Sequence, residues 1–326
     1  MAALALVALA HVGAAVAAPG GIGPPAPQTD SGKAITDLYW MVFAVCAVVF
    51  VAVETALVLF IIRFRRRRGT PEGAEGPQIH GNTRLEIIWT IIPAAILAAI
   101  AIITLARIPS VEAKGDDELT IKVDAHQFYW QYVYPNGAVS FDDLRLPVNQ
   151  RVRLRIVTHD VNHSWWVPAL TGKKDAIAGR VNYLSFKPTR TGTWEGQCAE
   201  FCGIQHAVMY TRVTVLEQSE YETWVDQQGS LADADLGKQE WGAVCAKCHG
   251  LAGQGDIGPA IAGNPTIKNR QALIKLLSTG QDTPQFESYM PAVGLGWSGR
   301  QYDALVAYIT ATPQLSEAPA GAQSGG

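Results

Sequence analysis

Residues 198–209 read "CAEFCGIQHAVM", with two cysteines, a histidine and a methionine inside twelve positions. Three residues separate Cys198 from Cys202, three more lead to His206, and two more to Met209. Thiolate, imidazole and thioether are soft or intermediate donors that suit copper rather than magnesium or calcium. A compact loop can turn all of them towards one point. A mononuclear blue-copper centre uses one Cys, two His and a weak Met, so the second thiolate is the informative departure, because two thiolates can bridge two copper ions. The second imidazole must come from earlier in the chain, where His126, His159 and His163 are the choices. A Cys198–Cys202 disulfide is the competing reading, and it leaves His206 and Met209 unexplained.

The sequence around this loop alternates with the period of two that marks half-buried strands. Runs such as "LTIKVDAHQFYWQYVY" (119–134), "RVRLRIVTHD" (151–160), "VNYLSFKP" (181–188) and "YTRVTVLE" (210–217) are rich in β-branched and aromatic residues. Turn signals such as "PNG" and "RTGT" divide them. The pattern predicts an all-β sandwich or barrel over residues 113–217.

A second sulfur-rich stretch, "CAKCH" at 245–249, has the C-x-x-C-H spacing of c-type haem attachment, with both thiols bound to the haem and His249 as an iron ligand. No Cys or His follows His249, which argues against zinc. Met290 is the one methionine after Met209, so elimination makes it the candidate for the opposite iron ligand. Helical periodicity predicts an all-α domain over 238–312, after a polar linker at 218–237 and before a disordered tail at 313–326.

Upstream, 38–62 and 87–108 are apolar runs long enough to cross a hydrocarbon core, and they predict a transmembrane hairpin within residues 35–112. The basic cluster Arg63, Arg65, Arg66, Arg67 and Arg68 follows the first run, which predicts a cytoplasmic loop and extracytoplasmic metal sites. Glu54 inside the first span calls for a protein or water neighbour. Cys46, alone in the same span, reads as a small buried hydrophobe. Residues 1–18 read as a secretory signal and 19–34 as a flexible Pro/Gly-rich arm. Apolar residues make up 48% of the 326 and charged residues 17%, in keeping with a membrane-anchored chain. A net charge of −3, with no basic domain, excludes a nucleic-acid footprint.

His163 begins "HSWWVPALTGKKDAIAGRVN", and this stretch with the Cys loop resembles the cupredoxin-like dinuclear copper (CuA) domain of cytochrome oxidase subunit II. "LEIIWTIIP" (85–93) at the second span resembles the same family. The resemblance implies His163, Cys198, Cys202, His206 and Met209 as copper ligands through side chains, with Glu200 contributing its carbonyl. It also implies a magnesium ion shared with subunit I at Glu200. Residues 235–312, including "GDIGPAIAG", resemble a class I cytochrome c, with Cys245, Cys248, His249 and Met290 holding haem c. The whole chain resembles subunit II of the caa-type oxidases.

That family implies an order of transfer from an external donor, such as cytochrome c or an upstream quinol-oxidising complex, to haem c, to copper, and to haem a of subunit I. The two spans contain no histidine, so reduction of dioxygen to water, coupled to proton pumping, requires partner subunits in the bacterial inner membrane. Glu86 matches a family carboxylate at the mouth of a proton path, against a plain role as a first-turn acid. Phe128 stands where the family's aromatic electron gateway usually has tryptophan; Tyr129 or Trp130 is expected to carry the electron, with Phe128 packing and His126 and His159 structural. The domain from Lys238 to Asp303 has no strong basic face, and a flexible tether would replace steering with an effective concentration of order millimolar. The alternatives are an electron-transfer subunit of a nitric oxide reductase, or a membrane-anchored copper-binding protein.

Overall fold

The computed structural model describes residues 23–65, 78, 80–111, 118–283 and 288–317. The signal-like stretch, Arg66, Arg67, Arg68 and residues 318–326 lie outside the described residues. The chain forms two compact units, Lys33–Val111 and a second comprising Met1–Gly32 with Glu112–Gly326.

Helices α1 (Asp30–Phe64) and α2 (Thr83–Val111) extend the two expected spans at both ends. Within their most apolar windows no residue is buried, which separates them from the core helices of a water-soluble domain. An apolar surface on all sides is stable in lipid. Cys46 is exposed rather than buried, because its helix turns that face outward instead of onto the chain. Glu54 is likewise exposed within the hairpin.

The β region has ten strands. They are β1 (Leu119–His126), β2 (Tyr129–Val133), β3 (Val139–Phe141), β4 (Asp143–Pro147), β5 (Val152–Thr158), β6 (His163–Trp166), β7 (Lys174–Ala176), β8 (Asn182–Phe186), β9 (Gly192–Cys198) and β10 (Tyr210–Leu216). One sheet runs β3-β2-β1-β5-β8 and the other β4-β10-β9-β6-β7. β1 pairs with β5, and β4 with β10, in parallel; the other neighbours are antiparallel. The alternation seen in sequence sets the core: Val152, Leu154 and Ile156 of β5 are fully buried, while Arg153 and Arg155 between them are half-exposed. Each large apolar side chain so buried contributes roughly 1.5–3 kcal/mol. The run 119–134 is two antiparallel strands, with the turn at Gln127 and Phe128.

Three expected boundaries change. The polar stretch 218–237 is not a loose linker: it holds helix α3 (Gln218–Gly229) and the start of α4 (Asp233–Glu240). Tyr221, Trp224 and Val225 fall at helical spacing and pack on the sandwich core, a stripe that the surrounding acids and glutamines hide from a polarity count. The end of the arm is also fixed. Gln28 donates its backbone N–H to the Ala169 carbonyl at 2.9 Å, and the Asp30 carboxylate pairs with Arg151 and accepts from the Lys187 backbone N–H at 2.8 Å.

The C-terminal region packs α4, a π-turn at Trp241–Cys245, α5 (Ala246–His249), α6 (Pro265–Lys268), α7 (Arg270–Thr279), α8 (Gly299–Ala311) and α9 (Pro313–Ser316) around one apolar cluster. It is not purely helical, since Gln281–Thr283 and Ser288–Met290 pair as a short antiparallel ribbon. The expected tail begins as structure: Leu315 is fully buried and its carbonyl accepts from the Gly263 backbone N–H at 2.8 Å. α4 crosses α8 so closely that a Cβ on Gly237 would lie 2.0 Å from the Ala304 carbonyl oxygen.

Candidate metal centres

β6, β9 and β10 adjoin in one sheet, and their ends carry the first candidate centre. Trp165 is in register with Cys198 across β6 and β9, so His163, two residues along on the same face, lies diagonally across from Cys198. The 199–209 loop then returns to β10, with Cys198 donating its backbone N–H to the Met209 carbonyl at 2.9 Å. Cys198 and Cys202 are free thiols, their sulfurs 3.8 Å apart, which removes the disulfide reading. His163 Nδ1 lies 3.8 Å from Cys198 Sγ, and His206 Nδ1 lies 3.6 Å from Cys202 Sγ. Met209 Sδ is 3.8 Å from Cys202 Sγ, and the Glu200 carbonyl oxygen is 3.2 Å from Cys198 Sγ. All six expected donors therefore converge. His126 and His159, the other candidate imidazoles, lie outside this set.

The electrostatics fit a cation. The neighbouring Cys202 thiol, together with His163 and backbone hydrogen bonds at Glu200 and Ser164, outweighs burial and pulls Cys198 down to about 3. Cys202 is pushed upward in return, first by Cys198 and then by burial, so without a metal the pair keeps one proton. A soft cation relieves that repulsion. Burial works against a charged His163, but Asp160 and the Cys198 thiolate outweigh it and raise the imidazole.

Asp160 is a residue the sequence reading missed. Its Oδ1 lies 2.9 Å from His163 Nε2, and its Oδ2 accepts from the Gln127 backbone N–H at 2.7 Å. A carboxylate holding Nε2–H leaves Nδ1 as the lone-pair nitrogen facing the sulfurs. Gln127 also donates from Nε2 to the Cys202 carbonyl at 2.6 Å. Gly203 sits at φ +132°, and a Cβ there would meet the Phe128 ring at 3.0 Å. The loop thus needs glycine on both counts.

The second candidate centre is a cavity of about 360 Å³ lined by Cys245, Cys248, His249 and Met290 together with apolar side chains of the helical cluster. His249 Nδ1 lies 2.8 Å from the Pro259 carbonyl oxygen, an arrangement that orients the ring and leaves Nε2 for the cavity. Burial pushes the Cys245 thiol up to about 12. A large apolar cavity with two thiols, an imidazole and a thioether on its wall fits a covalently held haem.

The same cavity is walled on one side by Gln127, Phe128, Tyr129, Ile204 and Gln205 of the sandwich. Tyr129 is 1% exposed and belongs to the helical cluster's core. Its hydroxyl accepts from Trp297 Nε1 at 2.8 Å and donates to the Val293 carbonyl. Trp130 turns the other way, its ring centroid 6.0 Å from that of His163. Phe128 touches the cavity as well as the copper loop, so its place is wider than packing alone. His126 is fully buried and stacks on Tyr129 at 4.6 Å; His159 pairs with Asp124 at 3.4 Å.

Glu86 is engaged locally: its Oε1 accepts from the Asn82 backbone N–H at 3.3 Å at the start of α2. Glu200 exposes its side chain, and among the described residues no carboxylate cluster joins it to hold magnesium.

A two-span anchor, a β-sandwich with paired thiols among imidazoles, and a haem-type helical domain define a membrane-bound electron-transfer protein. The profile of the cytochrome c oxidase subunit II transmembrane domain matches residues 19–106, and that of its periplasmic domain matches 142–216. Residues 232–309 match the profile of cytochrome c oxidase, cbb3-type, subunit III. Cytochrome c oxidase subunit 2 of Alkalihalophilus pseudofirmus is 35% identical over 250 residues, covering 72% of each chain. The namesake from Cereibacter sphaeroides is 29% identical over 253 residues, covering 63% of this chain and 82% of its own. Among solved structures, the periplasmic domain of subunit II of cytochrome oxidase from Bradyrhizobium japonicum is 34% identical, with 35% of this chain and 95% of that chain covered, at a TM-score of 0.34. This chain belongs to the cytochrome c oxidase subunit II family, as a two-pass membrane protein with a periplasmic copper domain and a fused cytochrome c domain.

Proposed function

We infer that this chain receives electrons for a haem–copper oxidase and passes them one at a time towards the subunit that reduces dioxygen. The observation that carries this reading is the convergence of two free thiols, two imidazoles, a thioether and a carbonyl in one compact unit with a cavity bearing the C-x-x-C-H motif. When bound, the copper pair and the haem supply one-electron redox chemistry. His163, Cys198, Cys202, His206, Met209 and the Glu200 carbonyl would hold the copper. Cys245 and Cys248 would hold the haem covalently, with His249 and Met290 at the iron.

The protein's own contribution is to fix these donors. Asp160 holds the His163 tautomer, Gln127 braces the Cys202 backbone, and the buried sulfurs are kept from bulk water. A ligand set fixed in advance keeps rearrangement on electron transfer small. The oxygen site belongs to a partner subunit of subunit I type, and the donor is a cytochrome c or a quinol-oxidising complex. Nothing in the family comparisons favours the nitric oxide reductase or copper-storage readings. Purified complex is expected to consume oxygen with reduced cytochrome c, or with quinol once a quinol-oxidising complex is added, and to leave nitric oxide largely unreduced; the reverse preference would overturn the assignment.

A further inference from the structure

One side chain of the copper loop makes a direct polar contact with the haem motif. Gln205 reaches out of the copper loop into the wall of the haem cavity, where its Nε2 lies 3.5 Å from Cys248 Sγ with the N–H towards sulfur. The next residue along the chain is His206, whose Nδ1 faces the copper-loop sulfurs. From the Gln205 amide to that imidazole the path is covalent throughout.

The contact is braced on both sides. Lys247, next to Cys248, pairs its ammonium with Asp142 at 2.5 Å and donates to the Phe128 carbonyl at 3.2 Å, pinning the haem motif to the sandwich. Gln127 grips the Cys202 carbonyl and fixes the other end of the loop. The aromatic alternative is less direct: Tyr129 lines the cavity, but its hydroxyl is spent on Trp297 and Val293, and its neighbour Trp130 faces His163 edge-on at 6.0 Å.

Resting on the function inferred above, we propose that Gln205 is the bridge for haem-to-copper electron transfer, linking the Cys248 sulfur through its amide to His206. One electron crosses: the haem is oxidised by one, the copper centre is reduced by one, and no bond forms or breaks. A hydrogen bond followed by covalent bonds couples donor and acceptor better than a gap of the same length. Gln205 acts through Cys248 and His206, so it is a positioning residue and not a metal ligand.

The test uses the intact oxidase. Q205M keeps length and apolar packing but lacks the amide N–H. After flash reduction of the haem, electron redistribution is followed in the haem visible band and the copper near-infrared band, and amide exchange of residues 203–206 is measured alongside. The expected result is a several-fold slower redistribution with both static spectra and the amide protection unchanged. Q205N, whose amide stops one methylene short, is expected to be slowed similarly. An unchanged rate in Q205M overturns the proposal, and so does slowing accompanied by loss of amide protection, which would make the side chain interface glue. A wild-type complex lacking either band overturns the underlying function as well, whereas both bands present with an unaffected Q205M sinks the bridge alone.

Discussion

Asp160 stands behind His163 and decides which ring nitrogen faces the sulfurs. Asp160→Ala is therefore expected to weaken copper binding by about 10–100-fold while leaving the fold intact, read by competitive copper titration. Glu240 is a second residue with a measurable role. It is fully buried, and burial pushes its carboxyl up to about 9 from the ordinary 4.5. With its folded pKa above the unfolded one, the folded state holds the extra proton between these values, so stability falls as pH rises from about 4.5 to about 9. Glu240→Gln should remove that slope and raise stability at pH 7, by up to about 3 kcal/mol, in denaturant melts across the range. The donors in 198–209 were legible because they are dense and regularly spaced. Gln127, Gln205 and Lys247 were not, because each acts on a partner far along the chain; Asp160 acts on His163 only three residues on, but a lone carboxylate has no motif to mark it.

At the level of elements, close backbone approaches set the tolerances. Gly196 in β9 has no room for a Cβ, which would fall 2.4 Å from the Trp166 carbonyl oxygen and 2.5 Å from Val167 Cγ2. Gly237 is tighter still against Ala304 of α8. Gly237→Ala is expected to destabilise the cytochrome region by about 1–3 kcal/mol through overpacking, seen as an earlier melting transition of the haem visible band, while the copper near-infrared band persists. Strands with clean alternation, such as β5 and β10, could be read from sequence alone. β6 and β7 are three or four residues long, too short to show a period. Helix α3 escaped for another reason: three contacts, Tyr221, Trp224 and Val225, anchor an otherwise charged segment.

Across the whole outer unit, the two cofactor regions are docked rather than loosely strung together. Tyr129 of the sandwich lies in the helical core, Gln301 donates to Gln131 at 3.0 Å, and a Cβ on Gly296 would strike His159 at 2.7 Å. The expected tether is therefore replaced by a fixed interface, which a reading of separate domains could not supply. Tyr129→Phe leaves Trp297 without its acceptor and should lower stability by about 1–3 kcal/mol, measured by thermal unfolding, with the copper spectrum unchanged. Each centre was legible by itself, because a metal site is written in short spacings; their mutual packing depends on contacts spread from residue 127 to residue 301. The most direct test is electron paramagnetic resonance with metal analysis on the purified, oxidised chain. The expected result is one unpaired electron shared between two coppers, with about two copper ions and one haem per chain. A single-copper hyperfine pattern, or copper near one per chain at saturation, would contradict it.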